Sequence, residues 1–109
     1  PEDMPGPPAD DCVDAAAGTP TVEIGFDDDR VLYAAATAPS CVRIHAGQQL
    51  VLRSTSGAAS TVLVGPDLYE IAAGATATTP ALGSLYAVGE VFDVYVEHLD
   101  ITVVVQVLP

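Results

Sequence analysis

The chain has 109 residues, half of them apolar, so it is expected to bury one core and no more than one domain. Fifteen Asp and Glu stand against three Arg and no Lys, a formal net charge of -12, which excludes nucleic acid and anionic lipid surfaces as partners. Cationic partners and divalent cations are the ligands such a surface admits.

Residues 1–20 read as a distinct arm. Prolines at 1, 5, 7, 8 and 20 rule out a regular central strand over most of its length. Asp10 or Asp11 is placed to cap one or two helical turns through Ala17, with Gly18 ending them. Nine of the fifteen acids lie before Arg30, so this end is the more acidic, and solvation is the plain reading of that run. The chain begins at Pro1, which fits an exported protein in its mature form. Cys12 and Cys41, the two cysteines, are expected to form one disulfide and so point to an oxidising compartment: extracellular, cell-surface or periplasmic.

From Thr21 the apolar period becomes two. Val22, Ile24 and Phe26 share one face while Glu23 points to the other, the pattern of a half-buried strand. Asp27-Asp28-Asp29 makes an acidic turn. Further strands are predicted at residues 31–35, 41–45, 49–54, 61–64, 68–72, 76–79, 91–97 and 101–108, with His98-Leu99-Asp100 as a tight hairpin between the last two. Gly and Pro separate these runs and no long helical pattern intervenes, so residues 21–109 are expected to form an all-β, Greek-key antiparallel sandwich. The longest apolar run, near Ile101 to Val105, is far shorter than the roughly 20 residues a membrane-spanning helix needs, so no membrane insertion is expected.

Pro39, Val42, Ile44, Gly47, Leu50 and Leu52, followed by Ser54 and a loop leading to Ser60, resemble the core of a cupredoxin of the plastocyanin type. Gly89-Glu-Val-Phe-Asp-Val-Tyr95-Val-Glu-His98 is similar to the C-terminal element of that family. The resemblance implies a cupredoxin-like sandwich, with an immunoglobulin-like one as the alternative, although the Trp and inter-sheet cysteine pair of antibody domains are missing. It also implies that the blue-copper ligands are lost. Ser60 falls at the first His position, Tyr95 at the Cys position and His98 at the second His position, and the chain's only Met is Met4, in the arm. A thiolate and two imidazoles held together are what a blue-copper site requires.

Other constellations are weighed in the same way. Asp27, Asp28 and Asp29, with Asp10, Asp11 or Asp14, are the candidates for Ca²⁺, although the alternating ligands and glycine of an EF-hand are missing. His98 and His45 are the only imidazoles and the candidates for residual metal binding, with a subunit contact as one place for it. Ser60, His98 and Asp100 form a nominal triad without the glycine-framed elbow that would present the serine. Tyr33, Tyr69, Tyr86 and Tyr95, with Phe26 and Phe92, are too scattered for a stacking platform. The expected function is therefore that of a non-catalytic, cofactor-free structural protein. Such a chain would self-assemble into an extracellular fibre or surface layer, with the arm docking on a neighbour and adding a short segment near residues 13–17 or 21–26 to its sheet edge. The alternatives are a monomeric secreted module for a cationic partner or Ca²⁺, and a residual metal-binding protein of the cupredoxin type.

Overall fold

A computed structural model describes residues 12–34 and 36–109. Eleven strands form two sheets packed face to face. The first sheet orders β1 (Cys12–Asp14), β5 (Cys41–His45), β11 (Ile101–Leu108), β10 (Val91–Val96), β7 (Ser60–Val64) and β8 (Asp67–Ile71). The second orders β4 (Ala36–Thr37), β3 (Val31–Tyr33), β2 (Thr21–Phe26), β6 (Gln49–Ser54) and β9 (Thr76–Ala81).

Period-two alternation places each core residue. Val22, Ile24 and Phe26 of β2 and Leu50 and Leu52 of β6 face inward from one sheet. Val42 and Ile44, Val62 and Val64, Val94 and Val96, and Val103, Val105 and Val107 meet them from the other. β-branched side chains dominate this interface because they pack well on a pleated surface. One end of the sandwich is closed by a 3₁₀ turn, Leu82–Ser84, whose Leu82 is fully buried, and by Tyr86 stacked on Phe92 with ring centroids 4.1 Å apart.

Apart from the two-residue β4, for which the sequence predicts no strand, the strands from β2 to β11 fall where alternation placed them, within a residue or two at their ends. Three features differ from expectation. The sheets are mixed rather than antiparallel: β1 and β11 both run parallel to β5, and β2 runs parallel to β6. Apolar alternation fixes which face a strand buries but not its direction, so the sequence pattern cannot separate the two. Cys12–Asp14 is a strand and not part of a helical turn, because its register along β5 sets Cys12 opposite Cys41 and Asp14 opposite Arg43. The predicted caps, Asp10 and Asp11, lie outside the described residues. Finally, β3 stops at Tyr33 because Ala34 takes a left-handed conformation, φ 54°, and turns the chain back into β4.

A buried glutamine ties the two sheets together below β1. Gln48 is 3% exposed; its Nε2 donates to the carbonyls of Ala16 and Thr19, and its Oε1 accepts from the His45 amide at 2.9 Å. Nearby, a bulge in β6 between Gln49 and Val51 leaves the Leu50 amide without a ladder partner, and Thr79 Oγ1 accepts it at 3.0 Å. No helix among the described residues is long and apolar enough to cross a membrane.

Candidate functional site

The loop end of the sandwich gathers the residues that the cupredoxin resemblance singled out. Asp27 builds the β2–β3 turn: its Oδ1 accepts the amides of Asp29 and Arg30, at 2.7 and 2.8 Å. Those two bonds hold the Asp27 carboxyl below its ordinary value. Asp28 reaches the other way, accepting the Ser56 hydroxyl at 2.7 Å and the Gly57 amide at 3.2 Å, so it clamps the β6–β7 loop. Asp29 is exposed. The carboxylates of Asp27 and Asp28 thus serve two separate turns, and among the described residues no group of three or more His, Cys, Asp or Glu could hold a metal ion.

His98 lies in the 3₁₀ turn Glu97–Leu99 between β10 and β11. Its Nε2 donates to the Asp27 carbonyl at 2.9 Å, and its ring packs 5.9 Å from Phe26. A carbonyl only accepts, so Nε2 carries the proton. Tyr95 alternates with buried Val94 and Val96 and so points to the outer face of its sheet, where its hydroxyl donates to Asp100 Oδ1 at 2.7 Å. That bond raises the Tyr95 phenol above its ordinary value. Ser60 points to the inner face and is buried. The three positions that correspond to copper ligands therefore do not converge: Ser60 and Tyr95 lie on opposite faces of one sheet, and His98 is turned to β2.

His45 sits at the opposite end of the molecule. It pairs with Leu108 at the far end of β11, seven residues along the strand from Ile101 beside the His98 turn, or about 23 Å at strand rise. Its Nδ1 bonds the Pro109 carbonyl at 2.9 Å. Nor is there a triad, since Asp100 is taken by Tyr95 and His98 by Asp27. Cys12 and Cys41 form the expected disulfide.

A second feature lies at the side of the sandwich. Because β3 ends at Tyr33, it pairs with β2 only at Gly25 and Phe26. Val22, Ile24 and Phe26 turn their backbone groups toward parallel β6, so those of Thr21 and Glu23 face the other side. Among the described residues no strand lies there. A groove of about 450 Å³ occupies that place, its apolar floor formed by Ala15, Val22 and Tyr33 and its rim by Thr19, Glu23 and Arg53. Glu23 and Arg53 are ion-paired across the rim at 2.9 Å. Burial pushes the Tyr33 phenol up. The only sequence signal for the groove was negative: Tyr33-Ala-Ala-Ala36 contains none of the Gly, Pro or Asn that usually announce a turn.

No protein-family model and no curated protein sequence matches the chain. Among solved structures the chain is similar to the Cu-containing nitrite reductase NirK from Thermus scotoductus SA-01, with a TM-score of 0.57 and 10% identity over 92% of its length. The fold is cupredoxin-like. The chain spans only 28% of that protein's length, and at this identity the likeness concerns the fold alone. The cupredoxin-like sandwich here carries an acidic loop end held by internal hydrogen bonds and, at its side, a stretch of β2 with no partner strand among the described residues.

Proposed function

We propose that the chain is an exported, non-catalytic structural module that assembles with copies of itself through its N-terminal arm. The observation that carries this reading is a stretch of β2 that no strand among the described residues pairs on its outer side, beside an apolar groove. Exposed strand edges template pairing with another chain, and folded proteins usually blunt or cover them. Here the uncovered edge is short and lies in a groove rather than on a flat rim, which suits a specific added strand.

The disulfide supports both export and a load-bearing arm. Such bonds persist in oxidising compartments, and this one fastens the root of the arm to the sheet interior through Cys41, which is 2% exposed. The donor set argues against electron transfer. Both cysteines are joined to each other, and the positions matching the remaining copper ligands point apart, so a blue-copper ion does not suit these residues. Calcium gains no support from the acidic turn, where the carboxylates of Asp27 and Asp28 accept hydrogen bonds that hold the loops.

Removal of residues 1–11, followed by size-exclusion chromatography and negative-stain microscopy, tests the reading. The full chain is expected to form higher-order species and the shortened chain to elute as a monomer. Equal assembly by both would refute an arm-based mechanism.

A further inference from the structure

We infer that the groove beside Thr21 and Glu23 is a strand-acceptor site, and that its occupant is residues 2–7 of a second copy of this chain. This rests on the assembly reading above and adds the acceptor, the donor segment and their chemistry.

The acceptor is defined by parity. Only alternate residues of β2 turn their amide and carbonyl groups to the open side, and in the uncovered half of the strand these are Thr21 and Glu23. An added strand therefore needs at least two residues of one parity with free amides. The donor sequence, Pro-Glu-Asp-Met-Pro-Gly-Pro-Pro-Ala-Asp-Asp, has this parity built in. In extended conformation Glu2, Met4 and Gly6 turn their amides to one edge, while Pro5 and Pro7 fall on the other edge, where they have no hydrogen to donate. Prolines are tolerated in edge strands when their nitrogens face away from the partner. The same prolines leave the outer edge of the added strand unable to recruit another, so pairing stops after one strand.

Position favours a second copy over the chain's own arm. Cys12 is level with Cys41 and so with Val104, midway along β11, and β1 runs from there away from the loop end, whereas Thr21 is level with Gln49 at the end opposite the loop end. Eleven residues before Cys12 reach at most about 36 Å when extended. To enter its own groove the arm would have to double back along β1, but entering a neighbour's requires only that it continue outward. The charge distribution agrees over most of the segment: Met4 to Pro7 are uncharged and meet the apolar floor, while Glu2 and Asp3 lie at its first end, beside a rim that carries Arg53.

The test uses the full chain and exploits parity. Glu23→Pro deletes the amide that faces the open side and leaves the bonds that Val22 and Ile24 make to β6, while Glu23→Gln removes only the ion pair with Arg53. On the donor side, Gly6→Pro deletes a bonding amide and Pro5→Ala does not. Light scattering over a concentration series, with circular dichroism to verify folding, is expected to show assembly of the wild type, Glu23→Gln and Pro5→Ala. Glu23→Pro and Gly6→Pro are expected to weaken assembly at least tenfold while remaining folded. Folded Glu23→Pro that assembles like the wild type would overturn the acceptor site and leave self-assembly standing. A wild type that stays monomeric at every concentration would overturn both. A monomer with the Glu23 amide protected from hydrogen exchange would place the arm in its own groove and equally overturn the inference.

Discussion

Cys12 and Cys41 face each other in register across the parallel pair β1 and β5, with their Cα atoms 4.4 Å apart. The bond closes a loop with a sequence separation of 29 and joins Cys12, at the root of residues 1–11, to a buried position in the sheet. Loop entropy alone assigns such a closure about 3.5 kcal/mol of stability. Replacing both cysteines by serine is expected to lower the unfolding free energy by roughly that amount in urea titrations. Because it frees the root of the arm, the double variant is also expected to assemble less well than its loss of stability alone explains.

Gln48 is the polar residue most exposed to loss by substitution, since three of its bonds fix the connection between β1 and β2. Gln48→Leu fills similar volume but takes the partner from the Ala16 and Thr19 carbonyls and the His45 amide, in bonds that are part-buried. A destabilisation of about 2–3 kcal/mol is expected from those unmet groups, read as a lower urea midpoint with an unchanged slope.

Gly65 adopts φ +56°, and a Cβ there would run into the hydroxyl of Tyr86. Gly65→Ala is expected to cost about 1–3 kcal/mol through that clash and the left-handed backbone. Combining it with Tyr86→Phe removes the clash but not the backbone strain. The double variant is therefore expected to regain part of the loss, a non-additivity that a double-mutant cycle measures directly.

Strand positions were legible because alternation is a local property: Val22-Glu-Ile-Gly-Phe26 dictates its buried face wherever its partners lie. The disulfide was legible because two cysteines leave one pairing. Strand direction was not, because β5 and β11 bury the same residues whether they run parallel or antiparallel. The end of β3 was hidden for another reason. An alanine at φ 54° is sustained by its surroundings and leaves no mark in composition. The groove follows from that one turn, so an open edge beside Thr21 and Glu23 was not legible in the sequence. At the loop end, the residues aligned with copper ligands could be named from the sequence, while their opposite orientations required the sheet to be built.

Two titrations probe the loop end. The Tyr95 phenol is raised, first by its bond to Asp100, so the stability it contributes is complete below its ordinary value of 10.0 and is lost as pH rises through the higher folded value. Asp27 is lowered, first by the Asp29 amide and then by the Arg30 amide. Its contribution is complete above the ordinary 3.8 and is lost as pH falls through the lower folded value. Unfolding midpoints measured against pH are expected to flatten above 10.0 in Tyr95→Phe and below 3.8 in Asp27→Asn. An unchanged pH dependence in either variant would remove that residue from the account.

Self-association is the central claim, and the mass of the native, disulfide-bonded chain in solution bears on it most directly. Sedimentation velocity over a wide concentration range is expected to show species that are multiples of 11.1 kDa and grow with concentration. A single 11.1 kDa species at every concentration would contradict it.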